Sequence, residues 1–135
     1  MRIFLDANIL LSAAKSNGAV RDLLHRLPQG GHQLCADAYV TAEARRNLSR
    51  KESEALETFE ALLARLDVAP LQPGNPLPDA ARALPETDQP VLAAAIRLDG
   101  DALVTGDRTH FSALYGKTIA GVTIYSPRMI ADALL

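Results

Sequence analysis

Two short apolar runs in this chain end on an aspartate. Residues 3–5, Ile-Phe-Leu, lead into Asp6, with Asn8 two places on. Residues 103–104, Leu-Val, lead through Thr105 and Gly106 into Asp107. Runs of this kind read as short buried strands, and ligands of an open parallel α/β sheet bind at the carboxyl ends of its strands. An aspartate in that place also caps a following helix well, so either one alone is as readily structural. Two ends of the same pattern make a site plausible. Acids gathered there would repel one another, and a hard divalent cation relieves such repulsion.

The elements that must position these residues alternate in type. After the strand at 3–5, residues 9–14 read as a short helix ending near Asn17-Gly18. Val20, Leu23, Leu24 and Leu27 recur at helical spacing, and Pro28 with Gly30-Gly31 is expected to end that helix. Residues 32–36 form a candidate strand. Asp37 is placed to cap a helix running to about Arg50, and residues 52–66 carry the apolar stripe of another. A third strand is expected at 68–71, then a Pro/Gly-rich surface loop at 72–78 and one helical turn at 80–84. Thr87 or Asp88 opens an alanine-rich helix with its body at 91–98 and Pro90 in its first turn. A strand at 102–105, a short helix at 109–115, a last strand at 119–125 and a closing helix at 127–134 complete the chain. With no hairpin expected anywhere, the alternation predicts a three-layer α/β/α domain around a central, mostly parallel sheet. Right-handed crossovers would bring the ends of the first and fourth strands to one edge.

The 135 residues suit a single domain, 1–135, able to bury roughly 70% of its unfolded surface. A formal charge of −2 gives no general polyanion signal. If four acids are spent on one metal site, however, the remainder is slightly positive, so a nucleic-acid substrate is not excluded. Cys35 has no partner for an internal disulfide, and His25, His32 and His110 are too scattered for a Cys/His zinc site. Asp6 and Asn8 interrupt what would otherwise suggest a signal peptide, and no apolar run is long enough to span a membrane. These features read as a soluble, cytoplasmic protein.

Two further acids stand out by position. Glu43 lies one turn beyond Tyr39 and Val40 and one turn before Asn47, on a partly apolar face where a solvated charge is out of place. A surface pair with Arg46 is the structural alternative. Asp88 sits in the first turn of the alanine-rich helix, where the macrodipole favours a carboxylate in any case. The small residues Ala93, Ala94 and Ala95 would let that helix lie close to the sheet.

Taken in order, Phe4-Leu5-Asp6-Ala7-Asn8-Ile9-Leu10, Glu43 in Thr41-Ala42-Glu43-Ala44, the segment from Asp88 to Ala95, and Thr105-Gly106-Asp107 resemble the PIN-domain nucleases. The resemblance spans nearly the whole chain and suits a small single-domain member. Ala7 departs from it, since the family more often has a hydroxyl residue there. The resemblance implies a metal-dependent endoribonuclease, in bacteria often the toxin of a type II toxin–antitoxin pair of the VapC kind. It implies Asp6, Asp88 and Asp107 as ligands of Mg²⁺ or Mn²⁺, Glu43 as a ligand or as the group that orients the attacking water, and Asn8 and Thr105 as supports for the carboxylates. An RNA substrate, an antitoxin partner and a homodimer are expected, the dimer through Met129, Ile130, Leu134 and Leu135.

Arg108, directly after Asp107, and Arg46, in a cluster with Arg45, Arg50 and Lys51, are the candidate RNA-binding cations. No aromatic platform for base stacking is evident. A haloacid-dehalogenase-like phosphatase would want an acid at Asn8, and a receiver-like domain would want adjacent acids after the first strand and a late lysine. The alternative outside enzymes is a catalytically weak PIN-like module that binds RNA or a partner.

Overall fold

The computed structural model describes residues 1–48, 52–70, 79, 82, 84 and 89–135. Its first strand, β1 (Arg2–Leu5), has Ile3, Phe4 and Leu5 all buried. A continuous apolar run is what a central parallel strand needs, because both of its faces are covered. Helices α1 (Ala7–Lys15) and α2 (Ala19–Gln29) follow, then β2 (Gln33–Asp37), α3 (Ala38–Asn47), α4 (Ser53–Leu63) and β3 (Asp67–Ala69). The second half supplies α5 (Gln89–Arg97), β4 (Ala102–Val104), a single 3₁₀ turn (Ser112–Leu114), β5 (Thr118–Ile119), β6 (Val122–Tyr125) and α6 (Pro127–Leu134).

The strands form one sheet in the order β3-β2-β1-β4-β6-β5, parallel except for β5 against β6. With its covering helices it is the expected three-layer α/β/α domain. From β1 the chain builds outward through β2 to β3, then returns to start β4 on the other flank of β1. The strand order therefore reverses between β1 and β4, and an open α/β sheet leaves a crevice at the carboxyl ends of such a pair. Register carries the consequence: Leu5 is opposite Val104, so Asp6 and Thr105 leave the sheet side by side.

Small residues let α5 close the core. Val91 to Ala95 are five successive buried positions, and the chain leaving α5 turns tightly over Phe4. A Cβ on Gly100 would lie 2.8 Å from the Phe4 ring and 3.0 Å from the Ala95 carbonyl, so only glycine fits. Arg21 ties down the end of α1, donating to the carbonyl oxygens of Ala13 (2.6 Å) and Ala14 (3.1 Å). Cys35 is a buried free thiol in β2. Among the described residues no helix is long and apolar enough to cross a membrane.

Three expectations are corrected. Residues 119–125 are not one strand: β5 and β6 form an antiparallel hairpin across Ala120 (φ 48°) and Gly121 (φ 87°). That two-residue turn has positive φ at both positions, as a type I′ hairpin requires, but alanine at the first hid it. The expected helix at 109–115 shrinks to the 3₁₀ turn, its flanks held by side chains of Asp107 and Tyr115 rather than by a helical ladder. Pro28 lies inside the last turn of α2, which ends at Gly30. Residues 80, 81 and 83 of the turn expected at 80–84, the opening of the alanine-rich helix at 87–88 and the cations Arg50 and Lys51 lie outside the described residues.

Asp37 caps α3 as anticipated, its Oδ1 accepting the Val40 N–H at 3.0 Å. It is only 7% exposed. Burial pushes its carboxyl above the ordinary 3.8, against the opposing pull of the Val40 N–H and the Arg97 charge. The folded state therefore keeps a proton that the unfolded state has released. The resulting penalty sets in as pH rises through the unfolded value and levels off above the folded one. Asn keeps the cap without the charge. Asp37→Asn should be at least as stable as wild type near neutral pH, with the difference vanishing in acid; urea unfolding across pH checks it.

Candidate active site

Asp6 is the first residue beyond β1 and the N-cap of α1, and it is 8% exposed. Its backbone N–H still belongs to the sheet, donating to Val104 O at 3.0 Å. Its carboxylate is held at both oxygens: Oδ1 accepts the Ala7 N–H at 2.7 Å, and Oδ2 accepts the Thr105 hydroxyl at 2.8 Å. Thr105 is fully buried one residue past β4. Its Oγ1 also accepts the Asp107 N–H at 3.2 Å. One hydroxyl thus joins the carboxylate ending the first strand to the turn carrying the second aspartate.

That turn is fixed from three more directions. Asn8, in the first turn of α1, accepts the Gly106 N–H on its Oδ1 at 3.0 Å. Asp107 Oδ1 accepts the N–H groups of Thr109 (2.9 Å) and His110 (3.0 Å), while its Oδ2 lies 3.0 Å from His110 Nδ1. The Tyr115 hydroxyl lies 3.0 Å from Thr105 O and 3.1 Å from Asp107 O, placed to donate to either. Burial raises the pKa of this phenol, the Asp107 and Asp6 charges add to the shift, and Arg108 opposes it. Tyr115 and His110 had no assigned role in the sequence reading, because neither falls in a spacing pattern with the acids.

Of the residues singled out from sequence, Asp6, Asn8, Thr105 and Asp107 meet at the crevice between β1 and β4. Glu43 is half-buried on α3, which starts at the carboxyl end of neighbouring β2 and packs against α1 and α5. Asp88 lies outside the described residues. Arg108 is exposed beside Asp107, and Arg46 is exposed in the last turn of α3. Arg45 serves packing instead: its guanidinium stacks 5.5 Å over the Phe59 ring and pairs with Glu60 at 3.1 Å, fixing α3 to α4. On α6, Ile130 is fully buried in the core, leaving Leu135, 46% exposed, as the apolar residue most open to a partner.

Among the described residues no three His, Cys, Asp or Glu side chains form a group that could hold a metal ion. The donor chemistry nonetheless fits Mg²⁺. That ion takes hard oxygen ligands, keeps several waters, and is commonly held by one or two carboxylates plus a substrate phosphate. Asp6 and Asp107 supply two such carboxylates at one crevice, each oriented by hydrogen bonds.

A family model described as PIN domain matches residues 2–109. The fold is similar to that of VapBC2 from Rickettsia felis, solved bound to a DNA fragment from their promoter; the TM-score is 0.67 at 16% identity over 93% of this chain and 98% of that one. It is similar to VapBC-1 from nontypeable Haemophilus influenzae, with a TM-score of 0.64 at 17% identity over 95% and 99% of the two chains. FitAB bound to an IR36 DNA fragment gives a TM-score of 0.59 at 20% identity over 93% and 94%. No curated protein matches the chain.

Thr105→Val keeps the shape of the buried side chain. It removes one hydrogen bond from the Asp6 carboxylate and one from the Asp107 amide. Breaking a buried link to a charged group costs about 1–3 kcal/mol. Chemical denaturation should show a loss of that order for Thr105→Val and a much smaller one for Thr105→Ser, which retains the hydroxyl.

Proposed function

The chain belongs to the PIN-domain family, and from that premise we propose that it is a metal-dependent endoribonuclease, the toxin of a toxin–antitoxin pair. The observation that carries the reading is the Thr105 hydroxyl bridging Asp6 and the Asp107 turn at the point where the strand order reverses. A buried carboxylate so constrained is poised for a ligand.

Asp6 and Asp107 would hold Mg²⁺ or Mn²⁺, with Asp88 completing the ligands expected from the family resemblance and Glu43 left to the attacking water. When bound, the ion neutralises the crowded carboxylates, lowers the pKa of a water and stabilises negative charge on the phosphate oxygens. This chain's residues do the rest. Asn8 and Thr105 keep the turn and the Asp6 carboxylate in fixed orientation, so little reorganisation is needed during reaction. Glu43 orients the attacking water and takes its proton. Water attacks phosphorus in line, the bond from phosphorus to the leaving sugar oxygen breaks, and that oxygen is protonated. Arg108 and Arg46 contribute charge for the RNA backbone.

The likeness to VapBC and FitAB structures supports an antitoxin as protein partner. A second copy of this chain, docked around α6, and action in the cytoplasm belong to the same reading.

RNA cleavage should require Mg²⁺ or Mn²⁺ and stop in EDTA. Asp6→Asn and Asp107→Asn should each lower it by on the order of a hundredfold or more, as expected when preorganised charge stabilisation is lost. Asp107→Asn keeps the Oδ1 that accepts from Thr109 and His110 and gives up only the carboxylate's contact with the exposed His110 ring, so the metal-free protein should melt close to the wild-type temperature. Its stabilisation by Mn²⁺ should shrink, because ligand binding to the native state is what raises apparent stability. Cleavage at wild-type rate in Asp6→Asn, or undiminished in EDTA, would overturn the assignment.

A further inference from the structure

A cleft of about 270 Å³ opens on the β6 side of the Asp107 turn, lined by Gly106, Arg108, Tyr115, Ser126, Pro127 and Arg128. Two of the six lining residues are arginines and none is acidic. One wall is the 106–108 turn, whose Gly106 N–H is held by Asn8 on its far side. The opposite wall is the start of α6, capped by Ser126, whose Oγ accepts the Met129 N–H at 3.1 Å. Arg128 reaches out from that first turn with a side chain 92% exposed. Its described ion pair is a long one, 3.9 Å to Asp132, itself largely exposed. Pairs of that kind contribute little and exchange readily for a better partner. Tyr115 completes the lining, pinned by its hydroxyl to the backbone of the turn.

Position gives the cleft its meaning. It begins at Gly106, one residue from Asp107, so a strand with its reacting phosphate at Asp6 and Asp107 has the next stretch of backbone within reach of it. Tyr115, Ser126 and Arg128 all lie beyond residues 2–109, the part matched by the family model. The wall that faces the 106–108 turn is therefore built from residues that the family match does not cover.

We propose that this cleft is a phosphate subsite for the RNA strand, in which Arg108 and Arg128 grip a phosphate next to the scissile one from opposite walls. The proposal rests on the endoribonuclease reading and adds the direction in which the strand leaves the acidic centre. Guanidinium suits the task because it stays charged and its planar donors match phosphate oxygens. The start of α6 adds the favourable end of a helix dipole.

The test measures binding apart from cleavage. Anisotropy of a fluorescein-labelled single-stranded RNA is followed with the full-length Asp6→Asn protein at fixed Mg²⁺ across monovalent salt. For single strands the log–log slope changes by about 0.7 for each phosphate contact. Arg128→Ala should reduce the slope by part of that, and Arg108→Ala with Arg128→Ala together by about 0.7, the value of the one phosphate they share. Arg128→Lys should retain most of it. Arg65→Ala, ahead of the opposite edge strand β3, is the control and should change nothing. In the cleavage-competent protein, Arg128→Ala should raise KM several-fold and leave kcat within about twofold, the signature of lost uniform binding.

Unchanged slope and KM in Arg128→Ala, while wild type binds and cleaves RNA, would overturn the subsite and leave the nuclease standing. Absence of both RNA binding and cleavage in wild type would overturn both. Arg128-dependent binding of a glutamate-rich peptide, with RNA binding indifferent to Arg128, would assign the cleft to an acidic protein partner and overturn the proposal.

Discussion

A single hydroxyl decides how the two halves of this molecule meet. Thr105 Oγ1 donates to the Asp6 carboxylate and accepts from the Asp107 amide, and the residue carrying it is fully buried. A carboxylate beside an apolar core is costly unless hydrogen bonds compensate it. Asp6 meets that demand with one bond to the helix it starts and one to the strand end beside it. The arrangement depends on register. Leu5 must face Val104 for Asp6 to reach Thr105, and a slip of one residue would turn the alternating side chains of β1 to the wrong faces. The register that fills the core is thus also the one that builds the crevice.

The core is arranged to hold that register. β1 and β4 present seven residues, all apolar except Arg2 at the very start. Arg2 ties the amino ends of the central strands: its N–H donates to Asp101 Oδ2 at 2.8 Å and its guanidinium to Leu98 O and Gln33 Oε1. The polar bonds thus sit at the two ends of the strands, with unbroken apolar packing between them. Alanines on α5 and the absence of a side chain at Gly100 let the second half press against Phe4. Groups carried on elements packed this closely cannot drift, and tight placement is what polar sites need to act on a ligand.

The legibility of the sequence follows from where each constraint comes from. β1, the capping aspartates at 6 and 37, and α6 from Pro127 to Leu134 could be read because apolar runs, Asx caps and a proline in the first turn act locally. The crevice was legible because two strand ends carry the same pattern and the fold class says where such ends lie. The hairpin was not, since Ala120 takes a positive φ that alanine does not advertise. Tyr115 was missed for a different reason. Its partners are backbone carbonyls eight and ten residues earlier, and no side-chain pattern records them. Arg45 counts in sequence as one of the cations around Arg46, and that it packs on Phe59 and pairs with Glu60 depends on which helix face meets α4.

A net charge of −2 suggests little affinity for a polyanion, yet what a substrate meets is the distribution of charge. The crevice concentrates carboxylates in which a phosphate needs an intervening cation, while the adjoining cleft concentrates guanidinium groups that accept phosphate directly. Only the 106–108 turn separates the two, and Asn8, Thr105 and Tyr115 hold that turn still. A polymer of regularly spaced phosphates can satisfy both regions at once, whereas a single small anion can satisfy only one. Under the proposed reading, the juxtaposition suits a nucleic-acid chain better than a mononucleotide, and the stiffness of the turn would fix the spacing between the two regions.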